Sequence, residues 1–274
     1  MLESVIQNFP LWAVALLLLG ACILAREAGV LFYRWQKARR PDGDESGKDA
    51  ESHVVTAVFG LLAFVIALSF SFGMERFEVR RQLVVEEANA ISTTYLRAGL
   101  FDEPYRTQLR STLRDYAHSR IVPDGLWDAR LEKQLRHTLG LRDRLWLETQ
   151  AAVYPVRETE LASYFLDSAN EVLNVGTRRQ LAGRAHIPTR IMAVMFLYLI
   201  AASAVLGYLL GDKPGRRRQA TTVLMLLFAV VILTVLDLDR PQAGAIQVPQ
   251  RALEELVVTL DREAPRSPPS TPTP

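Results

Sequence analysis

The sequence predicts an all-α polytopic membrane protein with four transmembrane helices and an extramembrane helical domain between the second and third helices. Two observations carry this prediction. Apolar stretches that suit a hydrocarbon core of about 30 Å stand near both ends of the 274-residue chain, at residues 9–25, 54–72, 188–210 and 220–236. The segment between them repeats apolar residues at helical spacing and sustains no strand alternation.

The first segment, residues 1–53, is predicted to hold one transmembrane helix and a charged loop. The apolar run 9–25 ends at Arg26 and Glu27. Adjacent side chains on a helix diverge, so these two are not expected to pair with each other. Two interpretations stay open: Arg26 extends to the membrane interface, or one of the two charges faces the interior of the helix bundle. Both are candidate structural residues.

The loop at residues 34–53 is rich in charge and has a turn signal at residues 41–43. Its acidic residues do not follow the spacing of a calcium-binding loop. We therefore predict a solvated linker and no metal site.

The second segment, residues 54–99, is predicted to be one helix that leaves the membrane and continues as an extramembrane extension. Its uncharged run 54–72 covers about 28 Å, and an apolar stripe continues beyond Gly73 at helical spacing. Polar residues fall on two faces. One face holds Ser69, Gly73, Arg76 and Arg80; the other holds Ser71, Glu75, Glu78, Gln82, Glu86, Asn89 and Thr93. The second face is either solvated or the lining of an aqueous path, and Glu86 and Asn89 are candidate interface residues.

Residues 100–187 are predicted to form a soluble helical domain. Helices are expected near residues 104–121, 126–136, 142–154 and 157–175, with a turn at 122–125 between the first two. Gly140 is expected to interrupt or cap the second, Pro155 to end or kink the third and Gly176 to cap the fourth. The histidines are scattered, and no catalytic constellation, phosphate loop or metal-ligand spacing is present in the sequence.

The last two transmembrane helices occupy residues 188–240, joined by a tight basic loop at 211–219. Small residues between Ala201 and Gly207 predict close helix packing in the third. The fourth stops at Asp237, Asp239 and Arg240, which either end the helix locally or fix the tail against the helical domain. Residues 241–274 form a C-terminal tail with one amphipathic piece at 251–260 and a disordered Pro- and Ser-rich end.

Charge and cysteine content exclude several classes of function. A net charge of +2 argues against a nucleic-acid partner, and a single cysteine, Cys22, excludes an intrachain disulfide.

The two short loops carry nine Lys or Arg residues, whereas the N-terminal tail carries none. The positive-inside rule therefore predicts a multi-pass protein of the inner (cell) membrane with its helical domain outside.

Three stretches resemble a known family: FGLLAFVIALSFSFGMERFEVRRQLVVEEANAISTTYLRAGL, EPYRTQLRSTLRDY and LDLDRPQAGAIQV. They are similar to the bestrophin-like domain family of bacterial membrane proteins, a domain of unknown function, and more distantly to bestrophins. True bestrophins are pentameric anion channels whose second helix lines the pore, so the resemblance implies a homo-oligomer in the lipid bilayer that passes inorganic ions. If the second helix lines a pore here too, the resemblance implies the following candidate pore-lining residues: Ser69, Phe70, Phe72, Gly73, Arg76 and Arg80.

Two functions are therefore kept from the sequence. The first is a homo-oligomeric ion channel for anions, with Arg76 and Arg80 concentrating anions at its mouth. The alternative is a membrane-anchored interaction or sensory module without transport activity. An enzyme is not expected, and neither a cofactor nor a metal is predicted.

Overall fold

The computed structural model describes residues 10–39, 48–121, 129–209, 216–240 and 244–263. Within these ranges the secondary structure is helical, without a strand. The α-helices are α1 (Leu11–Arg39), α2 (Lys48–Ala98), α3 (Tyr105–Arg120), α4 (Ala129–Val153), α5 (Glu160–Arg184), α6 (Thr189–Leu209), α7 (Arg216–Leu238) and α8 (Arg251–Glu263). The chain forms two compact units, a membrane unit (Met1–Phe77 with His186–Gln247) and a helical unit (Glu78–Ala185 with Val248–Pro274).

Four helices in the described ranges are long and apolar enough to cross a membrane. They lie at Leu11–Arg39, Thr56–Ala98, Glu160–Leu209 and Thr221–Leu238; in the third range the apolar part is α6. The core of the membrane unit is built from aliphatic side chains and methionines of all four helices, for example Leu18, Ile66, Met195 and Ile232. The prediction of an all-α protein with four transmembrane helices is confirmed.

Helix α1 continues through Arg39, well past the expected end of its apolar run at Ala25. Glycine contacts with α6 explain part of the extension. A Cβ on Gly29 would overlap the backbone of Ala204 and Tyr208, and one on Gly207 would overlap the backbone of Arg26. The two helices therefore approach at glycines, in the way small residues allow helices to pack in lipid. The expected linker begins inside this helix, and residues 40–47, with the turn at 41–43, lie outside the described ranges.

Helix α2 is a single helix of 51 residues and does not break at Gly73. A glycine costs a helix about 1 kcal/mol relative to alanine, which is too little to end a helix that packs on both sides of it. Gly73 is buried, and a Cβ there would lie 3.6 Å from the Leu238 side chain. Leu62 and Ile66 pack in the membrane core, and Phe59 stacks on Phe228 with ring centroids 5.7 Å apart. The stripe of apolar residues predicted this continuity correctly.

The helical unit differs from the sequence prediction at two glycines. Gly140 lies inside α4, so the two helices expected at 126–136 and 142–154 are one helix over the described residues 129–153. Gly176 lies inside α5, which runs on to Arg184, so it does not cap a helix there. In both cases tertiary packing on either side outweighs the local cost of glycine. Pro155 does end α4, in a short 3-10 turn at Tyr154–Val156; the turn expected at 122–125 lies outside the described ranges.

The core of the helical unit draws on α2, α3, α4, α5 and α8. Its largest members include Tyr116, Phe165 and Leu145, none of which is exposed. Helix α8 contributes Leu253, Val257 and Leu260 at spacings of four and three residues, which is the apolar face expected for this amphipathic piece. Residues 264–274, for which disorder was predicted, lie outside the described ranges.

Candidate functional site

The face of α2 that holds Ser69 and Gly73 is turned into the membrane unit. Ser69 is 3% exposed, and its hydroxyl donates a hydrogen bond to the Val65 carbonyl at 2.8 Å. Gly73 packs against Leu238 of α7. These two candidate lining residues therefore contact the rest of their own unit.

The opposite face of the same helix is exposed. Phe64, Leu68 and Phe72 are 59%, 44% and 50% exposed, and Ser71 and Glu75 are exposed as well. We call Phe64, Leu68, Ser71 and Glu75 the exposed stripe. Their spacings of four, three and four residues place them within an arc of about 60° on an α-helix. Phe72 flanks the stripe on one side, whereas Phe70, which is 39% exposed, lies on the other side about 100° around the helix from Ser71.

The two candidate arginines of α2 have different surroundings. Arg76 is half-buried. Arg80, in the helical unit, is 5% exposed and donates hydrogen bonds to the carbonyls of Ala182 at 3.0 Å and Ala185 at 2.6 Å. Because the last carbonyls of a helix have no partner within it, the guanidinium caps the C-terminal end of α5.

Glu86 is half-buried in the helical unit and belongs to a chain of charges that reaches the surface. It accepts a hydrogen bond from Gln82 at 3.0 Å and lies 3.6 Å from Arg178, which also pairs with Glu171 at 2.7 Å. An open groove of about 380 Å³ adjoins this chain, and Val79, Leu83 and Leu181 give it an apolar lining. Asn89 is exposed on α2.

Glu87, whose side chain is fully buried in the helical unit, was not identified from the sequence. Its carboxylate accepts hydrogen bonds from Arg120 at 2.6 Å, Arg179 at 2.7 Å and the Tyr116 hydroxyl at 3.1 Å. A Cβ on Gly176 would overlap the Tyr116 hydroxyl, so the glycine makes room for this network. A signal was present in the sequence: Glu87 lies within the apolar stripe that includes Val84, Ala88 and Ile91, where a carboxylate needs buried partners.

Burial and the charge of Glu87 shift the pKa values of its partners Tyr116 and Arg179. Burial raises the pKa of the Tyr116 hydroxyl, and the Glu87 carboxylate raises that pKa further, so the tyrosine stays a hydrogen-bond donor. Burial also lowers the pKa of Arg179, and Glu87 opposes that shift by stabilising the charged guanidinium. Arg179 additionally donates to the Gln250 side chain at 3.2 Å. The network therefore links α2, α3, α5 and the segment that leads into α8.

Asp237 and Asp239 bind backbone groups of the membrane unit. Asp237 accepts hydrogen bonds from the amides of Ala245 at 2.8 Å and Ile246 at 3.0 Å, and Asp239 accepts one from the amide of Ile187 at 2.7 Å. Burial lowers the pKa of Arg240, and the two aspartates oppose this effect. Among the described residues, no group of three or more His, Cys, Asp or Glu is arranged to hold a metal ion.

Arg26 and Glu27 pair directly, contrary to the expectation from their adjacency. Nη2 of Arg26 donates to the Glu27 carboxylate at 2.8 Å. The long guanidinium side chain folds back along the helix, which overcomes the divergence of the two Cβ atoms. Arg26 is 8% exposed and also donates to the Thr222 hydroxyl of α7 at 2.6 Å. The arginine therefore faces the other helices of the membrane unit.

These features define a polytopic helical membrane protein, and comparison with known proteins gives its family. The model of the Bestrophin-like domain family matches residues 10–253, so the chain belongs to the Bestrophin-like family. Among curated proteins, no sequence matches it.

Solved structures of a bacterial bestrophin homologue from Klebsiella pneumoniae share its fold. Two point variants match with TM-scores of 0.64 and 0.62, at 12% and 15% identity, over 93% and 92% of this chain and 96% of each homologue chain. A third structure matches with a TM-score of 0.54 at 16% identity, over 90% of this chain and 94% of the homologue. At such identities the likeness extends to the fold alone.

Proposed function

We propose that this protein is a homo-oligomeric ion channel whose pore is lined by α2. The observation that carries the proposal is the free face of this helix. The buried share of the most apolar stretch is 22% for α2, the lowest of the four candidate spans in the described ranges, against 28% for α1, 39% for the span that ends with α6 and 44% for α7. A transmembrane helix that contacts its own chain so little is suited to face an axial pore shared with other copies. Membership of the Bestrophin-like family and the fold shared with a bestrophin homologue support the same function.

The exposed stripe is the lining that we propose. Phe64 and Leu68 would form an apolar constriction of the kind that gates ion flow by dewetting, and the Ser71 hydroxyl would follow it along the path. We choose this stripe over the face of Ser69, Gly73 and Arg80 because those three residues are buried within their own units. Phe72 flanks the stripe and Phe70 lies off it, and both are suited to contact lipid or a neighbouring copy.

The kind of ion depends on the charges that face the path, and the placement of the protein depends on the charges of the short loops. The resemblance to bestrophins implies anions, with Arg76 and Arg80 attracting them, but the hydrogen bonds of Arg80 to two carbonyls occupy its guanidinium. We therefore propose an ion channel whose ion selectivity does not depend on Arg80. The charge of the short loops supports insertion in the inner membrane with the helical unit outside.

Cysteine accessibility tests the lining directly. The only native thiol, Cys22, is fully buried, so an introduced cysteine is the main target of a charged methanethiosulfonate reagent. In planar bilayers containing the purified protein, we expect the reagent to block current through Ser71→Cys and to leave Phe70→Cys unaffected, because Phe70 lies off the stripe. A wild-type protein without conductance, or equal block in both variants, would contradict the proposal.

The alternative is a membrane-anchored interaction module, and the open groove in the helical unit favours it. Leu181 and Val79 at this groove are 61% and 47% exposed, beside the charges of Glu86 and Arg178. Under this alternative, purified full-length protein would retain a stoichiometric partner that Leu181→Asp releases. It would also carry no current, which distinguishes it from the channel.

A further inference from the structure

The end of the membrane-spanning part of α2 holds five charged residues within seven positions, namely Glu75, Arg76, Glu78, Arg80 and Arg81. They are not equivalent once the helix is folded. Arg80 is buried and donates to two carbonyls. Glu78 and Arg81 are exposed, but they pair with each other at 2.6 Å, so their charges cancel locally.

Glu75 is the charge that remains on the exposed stripe. Seven residues after Leu68 and four after Ser71, it continues the line of side chains that begins at Phe64. Arg76 points about 100° away from it around the helix, toward the face that holds Ser69 and Gly73. If the stripe lines a pore, the first charge beyond the apolar constriction is therefore a carboxylate.

A ring of copies multiplies this charge. Each copy contributes one Glu75 at the same level around the axis, and rings of carboxylates favour cations in channels. In such a ring the apolar side chains of Leu68 and Phe64, about two and three turns earlier on the helix, would lower the local dielectric constant of the path. The carboxylates would then act on a passing ion more strongly than they would in bulk water.

We propose that the channel selects cations over anions, and that Glu75 is the residue that determines this selectivity. The inference rests on the proposed function, because it requires conduction along the exposed stripe. It reverses the ion class that the resemblance to bestrophins implies. The reason is physical: the carboxylate is exposed on the stripe, whereas Arg80 is buried and hydrogen-bonded.

The reversal potential under a tenfold KCl gradient tests the proposal in planar bilayers containing the full-length protein. For the wild type we expect the sign of the potassium equilibrium potential. Glu75→Gln should lower the ratio of cation to anion permeability by about tenfold, since one charge per copy is lost from a low-dielectric path. Glu75→Lys should invert the preference. Glu158→Gln, at an exposed glutamate in the turn between α4 and α5, is the matched control and should leave the ratio unchanged.

The outcomes separate this inference from the proposed function. An anion-selective wild type, or a Glu75→Gln variant with unchanged permeability ratio, overturns the cation proposal and leaves the channel standing. Loss of all conductance in the wild type overturns the channel, and the cation proposal with it. If Glu75→Lys fails to assemble, the nearly isosteric Glu75→Gln decides the question alone.

Discussion

Replacing Glu87 by glutamine should destabilise the helical unit strongly. The substitution keeps the size of the side chain but removes the carboxylate that pairs with both Arg120 and Arg179, whose side chains are 12% and 15% exposed. Two guanidinium groups would then lie in the interior without a counter-charge, and both would lose a hydrogen bond to an ionised acceptor. Breaking a buried ion pair by removing one partner costs about 3–5 kcal/mol, and we expect a loss of this size.

Thermal unfolding of the full-length protein in detergent measures this loss. Each kcal/mol shifts the midpoint of a chain of this size by about 2–4 °C, so Glu87→Gln should lower the midpoint by about 6–20 °C. The control is Glu86→Gln, one residue earlier on the same helix. Its partner Arg178 is 53% exposed and lies 3.6 Å away, so the change should cost less than about 1 kcal/mol.

The reasoning about Glu87 would be refuted if both glutamine variants shifted the midpoint equally. A second measurement separates the charge effect from a packing effect. Adding Arg179→Gln to Glu87→Gln removes one uncompensated guanidinium, so the double variant should recover part of the lost stability. If it were less stable than Glu87→Gln, repulsion between the two arginines would not be the cause.

Three further predictions concern single residues. Gly176→Ala should cost about 1–3 kcal/mol of stability because its Cβ would overlap the Tyr116 hydroxyl. Gly140→Ala, with open space around its Cβ, should instead stabilise the protein by about 0.5–1 kcal/mol, and the thermal midpoints of the two variants test this difference. Gly29→Leu should disrupt the packing of α1 on α6 and lower the thermal midpoint of the protein in detergent, whereas Gly20→Leu, with nothing near its Cβ, should not. Asp239→Ala should cost about 1–3 kcal/mol because the buried amide of Ile187 loses its hydrogen-bond acceptor. We expect faster proteolysis near residue 187 in this variant, and unchanged proteolysis would contradict the prediction.

The architecture was largely predictable from the sequence because two strong physical constraints act on it. A bilayer demands long apolar helices, and the apolar stripe beyond Gly73 demands a continuous helix with a partner. Two glycines of the helical unit were not predicted correctly. Gly140 and Gly176, where an interruption or a cap was expected, lie inside helices because contacts distant in sequence outweigh a local cost of about 1 kcal/mol.

The candidate site was less predictable, and α2 shows why. Periodicity correctly grouped Ser69, Gly73, Arg76 and Arg80 on one face, but it does not say which face the rest of the chain covers. That depends on α7 in the membrane unit, which meets Gly73, and on the end of α5 in the helical unit, which accepts the hydrogen bonds of Arg80. Periodicity likewise grouped Glu75 with Ser71 without showing that this face is exposed.

The charge that α2 exposes follows from the different hydrogen-bonding chemistry of Arg80 and Glu75. A guanidinium has several donors in a fixed fork, so it can satisfy two backbone carbonyls at once, which suits Arg80 to the end of a helix. A carboxylate only accepts hydrogen bonds, and the exposed carboxylate of Glu75 can attract mobile cations. Arg80 is drawn into structural hydrogen bonds, whereas Glu75 stays on the exposed face, and this difference biases the proposed pore toward cations. An oligomer in which the exposed stripe faced lipid instead of the axis would remove that bias, and Ser71→Cys would then escape block by the charged reagent.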